Sequence, residues 1–227
     1  LALSYSIEGQ DLQLLKKGTA NAEKVTVSFW IKATKTGTNI LELYDNDNNR
    51  NISIAYTVSS SNTWEKKVVN FLADTSGALG DDNGSSIAIN WWMGAGSNFS
   101  SGTLSTSWSS VTDANRAVGQ VNHADSTSNN FHITAIQLQV GTFNATTIPP
   151  FQHESFGDNL ARCKRYFQYS TMGYYSDTTG GSYGGATTFA VEHRATPSYV
   201  SSYGSGVSGV WPSGTGNLEP TAYQGVW

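Results

Sequence analysis

Two pairs of acids stand close enough together to invite a glycosidase reading: Asp45 with Asp47, and Asp81 with Asp82. Cleaving a glycosidic bond needs one carboxyl group kept protonated by an apolar pocket and a second kept ionised. Both pairs lie instead in runs rich in Asn and Gly, where solvated acids serve as turn formers. The stretch Gly180-Gly-Ser-Tyr-Gly184 fits the G-x-S-x-G pattern of a hydrolase nucleophile. That pattern works only when a strand precedes the serine and a helix follows it. Its Gly/Tyr/Ser-rich surroundings offer neither and predict a turn. His123, His132, His153 and His193 are scattered without ligand spacing, so no zinc site is expected. No catalytic residue is assigned.

Calcium is harder to set aside. Asp45, Asp47 and Asn48, or Asp81, Asp82 and Asn83, place hard oxygen ligands close together in loops. Neither run has the central Gly and distant Glu of an EF-hand, so turn formation competes with a structural calcium at both. Aromatic side chains offer a different chemistry. An exposed indole or phenol stacks against the C–H face of a sugar ring while apolar area leaves water. By strand parity Trp30 and Trp92 point away from the aliphatic stripes of their strands, and Tyr44 ends a strand beside a polar tip. These three are the candidate glycan-binding residues, with packing under a neighbouring subunit as the competing role. Trp64, Trp91 and Trp108 are assigned to core or loop anchoring. Four N-x-[ST] sequons begin at Asn51, Asn83, Asn98 and Asn144, as expected by chance in so Asn/Ser/Thr-rich a chain.

The elements that would position these residues are strands. The chain has 227 residues, of which only 13% are charged and 12% aromatic, with 23 glycines. That mix suits short strands and polar turns rather than helices. A net charge of −4 gives no basic surface for nucleic acid, and no apolar run is long enough to insert in a membrane as a helix. Val25, Val27, Phe29 and Ile31 alternate with Thr26, Ser28, Trp30 and Lys32 at the two-residue period of a half-buried strand. Ile52, Ile54, Tyr56 and Val58 form a second stripe, and Ile87, Ile89, Trp91 and Met93 a third. Shorter strands are expected at residues 39–44 and 63–71, the first ending in the turn Asp45-Asn-Asp-Asn-Asn49. Residues 131–140 change parity partway, which a bulge near Ala135 would reconcile. Residues 94–130 form a long polar stretch with scattered anchors at Phe99, Leu104, Trp108 and Val118; such loops are often functional or disordered. After Pro149-Pro150, Asp158 is expected to cap one helix over residues 159–168, with Leu160, Cys163 and Phe167 on its apolar side. Cys163 there reads as a small buried hydrophobe. Further strand-like runs lie at residues 187–193 and 197–203.

Read together, these motifs resemble a module widespread in bacteriophage structural proteins, particularly tail-fibre-like proteins of marine phages. The resemblance rests on Val27-Ser-Phe-Trp-Ile-Lys-Ala33 with Thr36-Gly37, Asn62-Thr-Trp-Glu-Lys-Lys67 and Ala95-Gly-Ser-Asn-Phe99. It continues through Ile133-Thr-Ala-Ile-Gln-Leu-Gln-Val-Gly141, Pro150-Phe-Gln-His-Glu-Ser-Phe-Gly157 and Leu160-Ala-Arg-Cys-Lys-Arg-Tyr-Phe-Gln168, and ends at Phe189-Ala-Val-Glu-His-Arg-Ala-Thr-Pro197. It implies a jelly-roll β-sandwich akin to carbohydrate-binding modules, then a linking helix and a C-terminal β region. It also implies a place in the virion, usually as a homotrimer, and no shared catalytic residues. Such jelly rolls often hold a structural calcium.

The expected architecture is therefore all-β: a jelly-roll sandwich over residues 1–150, a linker with a short helix over 151–170, and a Gly/Tyr-rich β module over 171–227. Both ends of the chain read as cuts in a longer protein. The expected role is that of a non-catalytic virion structural protein, a tail-fibre or head-decoration component on the particle surface that trimerises and contacts host glycan. The alternative is a carbohydrate-binding module of a larger secreted glycan-active protein. A depolymerase ranks below both, because no acid pair has a suitable pocket.

Overall fold

Alternation on this scale lets each strand bury one face, and strands so built pair into sheets that close on each other. The computed structural model describes residues 1–168, 174–176, 182–184 and 188–194. It divides the chain into one compact unit over Leu1–Phe151 and a second over Gln152–Trp227. The first unit is an all-β sandwich of two antiparallel sheets. Its larger, five-stranded sheet runs in the order β1 (Ala2–Glu8), β6 (Ser85–Trp92), β3 (Gly37–Asp45), β4 (Arg50–Val58) and β7 (Ser109–Ser110). Its smaller, three-stranded sheet is β5 (Glu65–Phe71), β2 (Val25–Ala33) and β8 (Phe131–Val140).

The aliphatic stripes meet between the sheets. Val27, Phe29 and Ile31 of β2 pack on Leu41, Leu43, Ile52, Tyr56, Ile89 and Trp91 of the larger sheet. The Phe29 ring sits edge-on to Tyr56 and Trp91, with centroids 5.3 and 5.8 Å away. Each such pair adds about 0.5–1.5 kcal/mol beyond the area it buries. The strand β1 was not anticipated, although Leu3, Tyr5 and Ile7 alternate with Ser4 and Ser6. It is an edge strand opposite β6, and its Leu3 and Tyr5 remain exposed.

Loops cover the outer faces unequally. Residues 94–130 fold across the outside of the larger sheet, with a helical turn α1 (Ser97–Ser100) and the short strand β7. Phe99 and Leu104 of this loop pack with Ile40, Trp92 and Ala117 in a second apolar cluster. On the smaller sheet, the segment after β8 covers only one half. Thr26 Oγ1 donates to Gly141 O at 2.8 Å, Asn70 Nδ2 to Phe143 O at 3.0 Å, and Gln137 Nε2 to Pro149 O at 3.2 Å. Thr26 and Ser28 are buried beneath it, whereas Trp30 beyond it stays exposed.

The second unit contains the helix α2 (Phe156–Lys164) and a short hairpin of β9 (Tyr174–Ser176) and β10 (Ser182–Gly184). The helix begins three residues earlier than expected. Ser155, not Asp158, caps it: the Ser155 hydroxyl accepts from the Asp158 N–H at 3.1 Å and donates to the Asp158 carboxylate. Cys163 is exposed, not buried. Ser182 of the G-x-S-x-G run lies in β10, a hairpin strand rather than a strand-to-helix turn. Residues 188–194 form no strand; they bond to the end of α2 through Gln168 and the Arg165 carbonyl. The run at 197–203 lies outside the described residues.

The expected bulge is present. The register of β2 against β8 slips between Ser28 and Trp30, and Ala135 opposite adopts φ = 50°. That left-handed conformation presses the Cβ of an L residue against its own carbonyl, most severely when the side chain is β-branched. Ala135→Val should therefore lower stability by about 1–2 kcal/mol in urea denaturation, while Ala135→Gly should match or exceed the parent.

Candidate functional site

The acids that could do chemistry are occupied by cations. Asp45 ends β3 fully buried, and Lys17 Nζ lies 2.5 Å from its Oδ2. Its Oδ1 accepts from the backbone N–H groups of Asp47 and Asn48, each at 3.0 Å. An ammonium thus already sits where a calcium at Asp45, Asp47 and Asn48 would need to be, which overturns that site. Lys17 also reaches Asp74 at 3.0 Å, and Arg50 Nε bonds the same carboxylate at 2.8 Å. Burial would raise the Asp74 carboxyl, but the hydrogen bonds from Arg50 and Lys17 outweigh it and hold it below the usual range. The Asp81, Asp82 and Asn83 run is exposed, and Asp82 Oδ1 caps its own turn by accepting from the Gly84 N–H at 2.8 Å. Among the described residues no three His, Cys, Asp or Glu side chains gather as a metal cluster. A cavity of ≈ 20 Å³ beside Leu12, Lys17, Asp74 and Trp108 has room for about one water, not a substrate.

Sequence reasoning passed over another buried acid, Glu42. It faces outward from the middle of β3, yet it is completely buried under the 94–130 loop. Arg116 from that loop grips it with Nε at 2.7 Å and Nη2 at 3.0 Å. Asn51 of β4, Asn90 of β6 and the indole N–H of Trp92 supply three further donors at 3.0–3.2 Å. Arg116 also lies over the rings of Tyr44, Trp92 and Phe99, 4.7–5.6 Å from their centroids. All of the carboxylate's lone pairs are used, so the cluster holds the loop on the sheet.

That arrangement removes two glycan candidates. Trp92 is 5% exposed, its indole roofed by Phe99 at 5.3 Å and its N–H spent on Glu42, so it is not a stacking platform. The Tyr44 ring lies under Arg116, and its hydroxyl donates to Asn49 Oδ1 at 2.7 Å. Strand parity correctly turned both outward, but the covering loop is distant in sequence.

Trp30 keeps its candidacy at 40% exposure, and Trp64 joins it at 43%. The assignment of Trp64 to packing is thus corrected: it precedes β5 and stands on the outer face of the smaller sheet. Two rows of side chains cross that face. Lys66, Trp30 and Thr134 are paired in one. In the next, Lys32 pairs with His132, and Trp64 lies beside both: its ring is 5.9 Å from Lys32 Nζ and 6.4 Å from the His132 ring. The period-2 string Trp64-Glu-Lys66 beside Trp30-Ile-Lys32 carried this signal in the sequence. This open face, bounded at one end by the 141–149 segment, is the candidate site.

Replacing Arg116 by Ala should cost about 3 kcal/mol, because the Glu42 carboxylate would stay buried without its cation. Arg116→Lys should recover only part of that, since an ammonium cannot repeat the two-pronged grip. Urea denaturation of the three proteins measures both differences. Comparison with known proteins returns no matching family model, no similar curated protein and no similar solved structure.

Proposed function

We propose that this chain is a non-catalytic structural protein of a bacteriophage virion, a tail-fibre or head-decoration component that assembles as a homotrimer on the particle surface and meets host glycan through the smaller sheet. The ordered series of motifs from Val27 to Pro197 supports the virion part of the reading. The occupied acids support the non-catalytic part: Glu42, Asp45 and Asp74 are spent on Arg116, Lys17 and Arg50.

One observation carries the assembly. Phe156, Leu160 and Cys163 recur at helical spacing on α2 and Phe167 follows just past its end; all four are exposed, Phe156 at 81% and Phe167 at 77%. A stripe of this kind on one face of a helix gains about 1.5–3 kcal/mol per large side chain when it is buried. Three copies of α2 packing stripe to stripe would bury it in a closed, symmetric bundle. The jelly-roll form of the sandwich belongs to the same reading. The runner-up, a carbohydrate-binding module of a larger secreted protein, is favoured by the Trp30 and Trp64 face alone and needs no assembly.

Light scattering of the purified protein at several dilutions tests the choice. The expected mass is three times that of the chain and survives dilution, and changing Phe156 and Phe167 to Ser reduces it to that of one chain. A monomer at every dilution contradicts the trimer and puts the binding module first.

A further inference from the structure

The open half of the smaller sheet has a charge opposite to that of the protein. The chain carries a net −4. Yet the side chains that β2, β5 and β8 turn outward include Lys32, Lys66 and His132 and no acid. Glu65, the nearest acid in sequence, faces the opposite way and is taken up by Lys67 and by the backbone N–H groups of Ser59 and Ser60. Among the described residues neither Lys32 nor Lys66 has an acidic partner within salt-bridge distance. Lys32 instead lies against the Trp64 ring, and Lys66 projects from the strand position opposite Trp30.

We propose that this face binds an anionic glycan, stacking successive pyranose rings on Trp30 and Trp64 and pairing their carboxylate or sulfate groups with Lys66 and Lys32. The inference rests on the glycan-contacting part of the proposed function and specifies its ligand class. The two tryptophans lie on a cross-strand diagonal, about 7–8 Å apart at the backbone. One sugar chain therefore passes over both rather than one ring lying between them. Stacking supplies a sequence-tolerant apolar grip, as indoles do wherever a ring face must be held. The lysines select charge: an ammonium beside an aromatic ring is drawn to an anionic substituent that a neutral sugar lacks. Thr134 and His132, exposed at the ends of the two rows, add hydrogen-bonding groups for ring hydroxyls. The segment carrying Phe143 and Pro149 closes the other half of the sheet and sets the end of the track.

Isothermal titration of the full chain with three hexasaccharides tests this: hexagalacturonate, a sulfated hexasaccharide and neutral cellohexaose. Binding to at least one anionic probe, and at least tenfold weaker binding to cellohexaose, is the expected result. The two anionic arms then tell carboxylate from sulfate recognition. Trp30→Ala and Trp64→Ala should each weaken binding about tenfold, and Lys32→Gln with Lys66→Gln should abolish the preference for charge while leaving weak stacking. These exposed sites can be changed without unfolding the sandwich, which circular dichroism of each variant checks. Equal binding of cellohexaose overturns the anionic class but leaves glycan contact standing. Anionic binding untouched by the tryptophan variants overturns the site, as simple polyelectrolyte adsorption would. No binding to any probe overturns both, and leaves the trimer to be judged by its own mass measurement.

Discussion

A carboxylate buried in the middle of a sheet must find positive charge or leave the interior, and Glu42 is placed where it cannot leave. It sits on β3, between β6 and β4, with donors from both neighbours converging on it. Those neutral donors orient the carboxylate but do not balance its charge, and only Arg116 does. The long polar loop is consequently obliged to cross the outer face of the larger sheet, and the aromatic rings of Tyr44, Trp92 and Phe99 gather round the guanidinium. One ion pair thus turns a half-wet sheet face into a second interior. Lys17 does similar work at the sandwich rim, tying the start of the chain to Asp45 and Asp74.

This closure decides where function can reside. The larger sheet packs on the sandwich core on one side and is covered by the loop over β3 and its neighbours on the other, with the edge strand β1 leaving Leu3 and Tyr5 exposed. The smaller sheet, covered only over Thr26 and Ser28, keeps Trp30 and Trp64 in contact with solvent. Trp30 belongs to the central strand β2 and Trp64 immediately precedes the edge strand β5, so the sheet sets the position of both indoles. Phe156 and Leu160 of α2 are exposed as well.

The strands and their facing were legible in the sequence because side-chain period and burial are local properties. The stripes of β2, β4 and β6 follow the expected parity, and the change of parity in residues 131–140 located the bulge at Ala135. What was not legible depended on partners far away in the chain. Trp92 looked like an outward platform because nothing nearby announces that residues 94–130 return over it. Asp45 looked like a calcium ligand because Lys17 is 28 positions away. Glu42 drew no attention, since one acid in an alternating strand normally faces water. Trp64 was misplaced although the strand expected over residues 63–71 included it, because parity was not read along that strand. Cys163 was read as buried because it falls on the apolar side of the helix, whereas it is exposed.

The account stands on the claim that one outer sheet face is closed and the other open. Hydroxyl-radical footprinting of the native protein, read residue by residue by mass spectrometry, addresses it directly. Among the four tryptophans of the two sheets' central region, Trp30 and Trp64 should oxidise readily, with Trp91 and Trp92 protected until the protein unfolds. Oxidation of Trp92 as fast as that of Trp30 would mean that Glu42 and Arg116 do not hold the loop down, and the assignment of the two faces would fall.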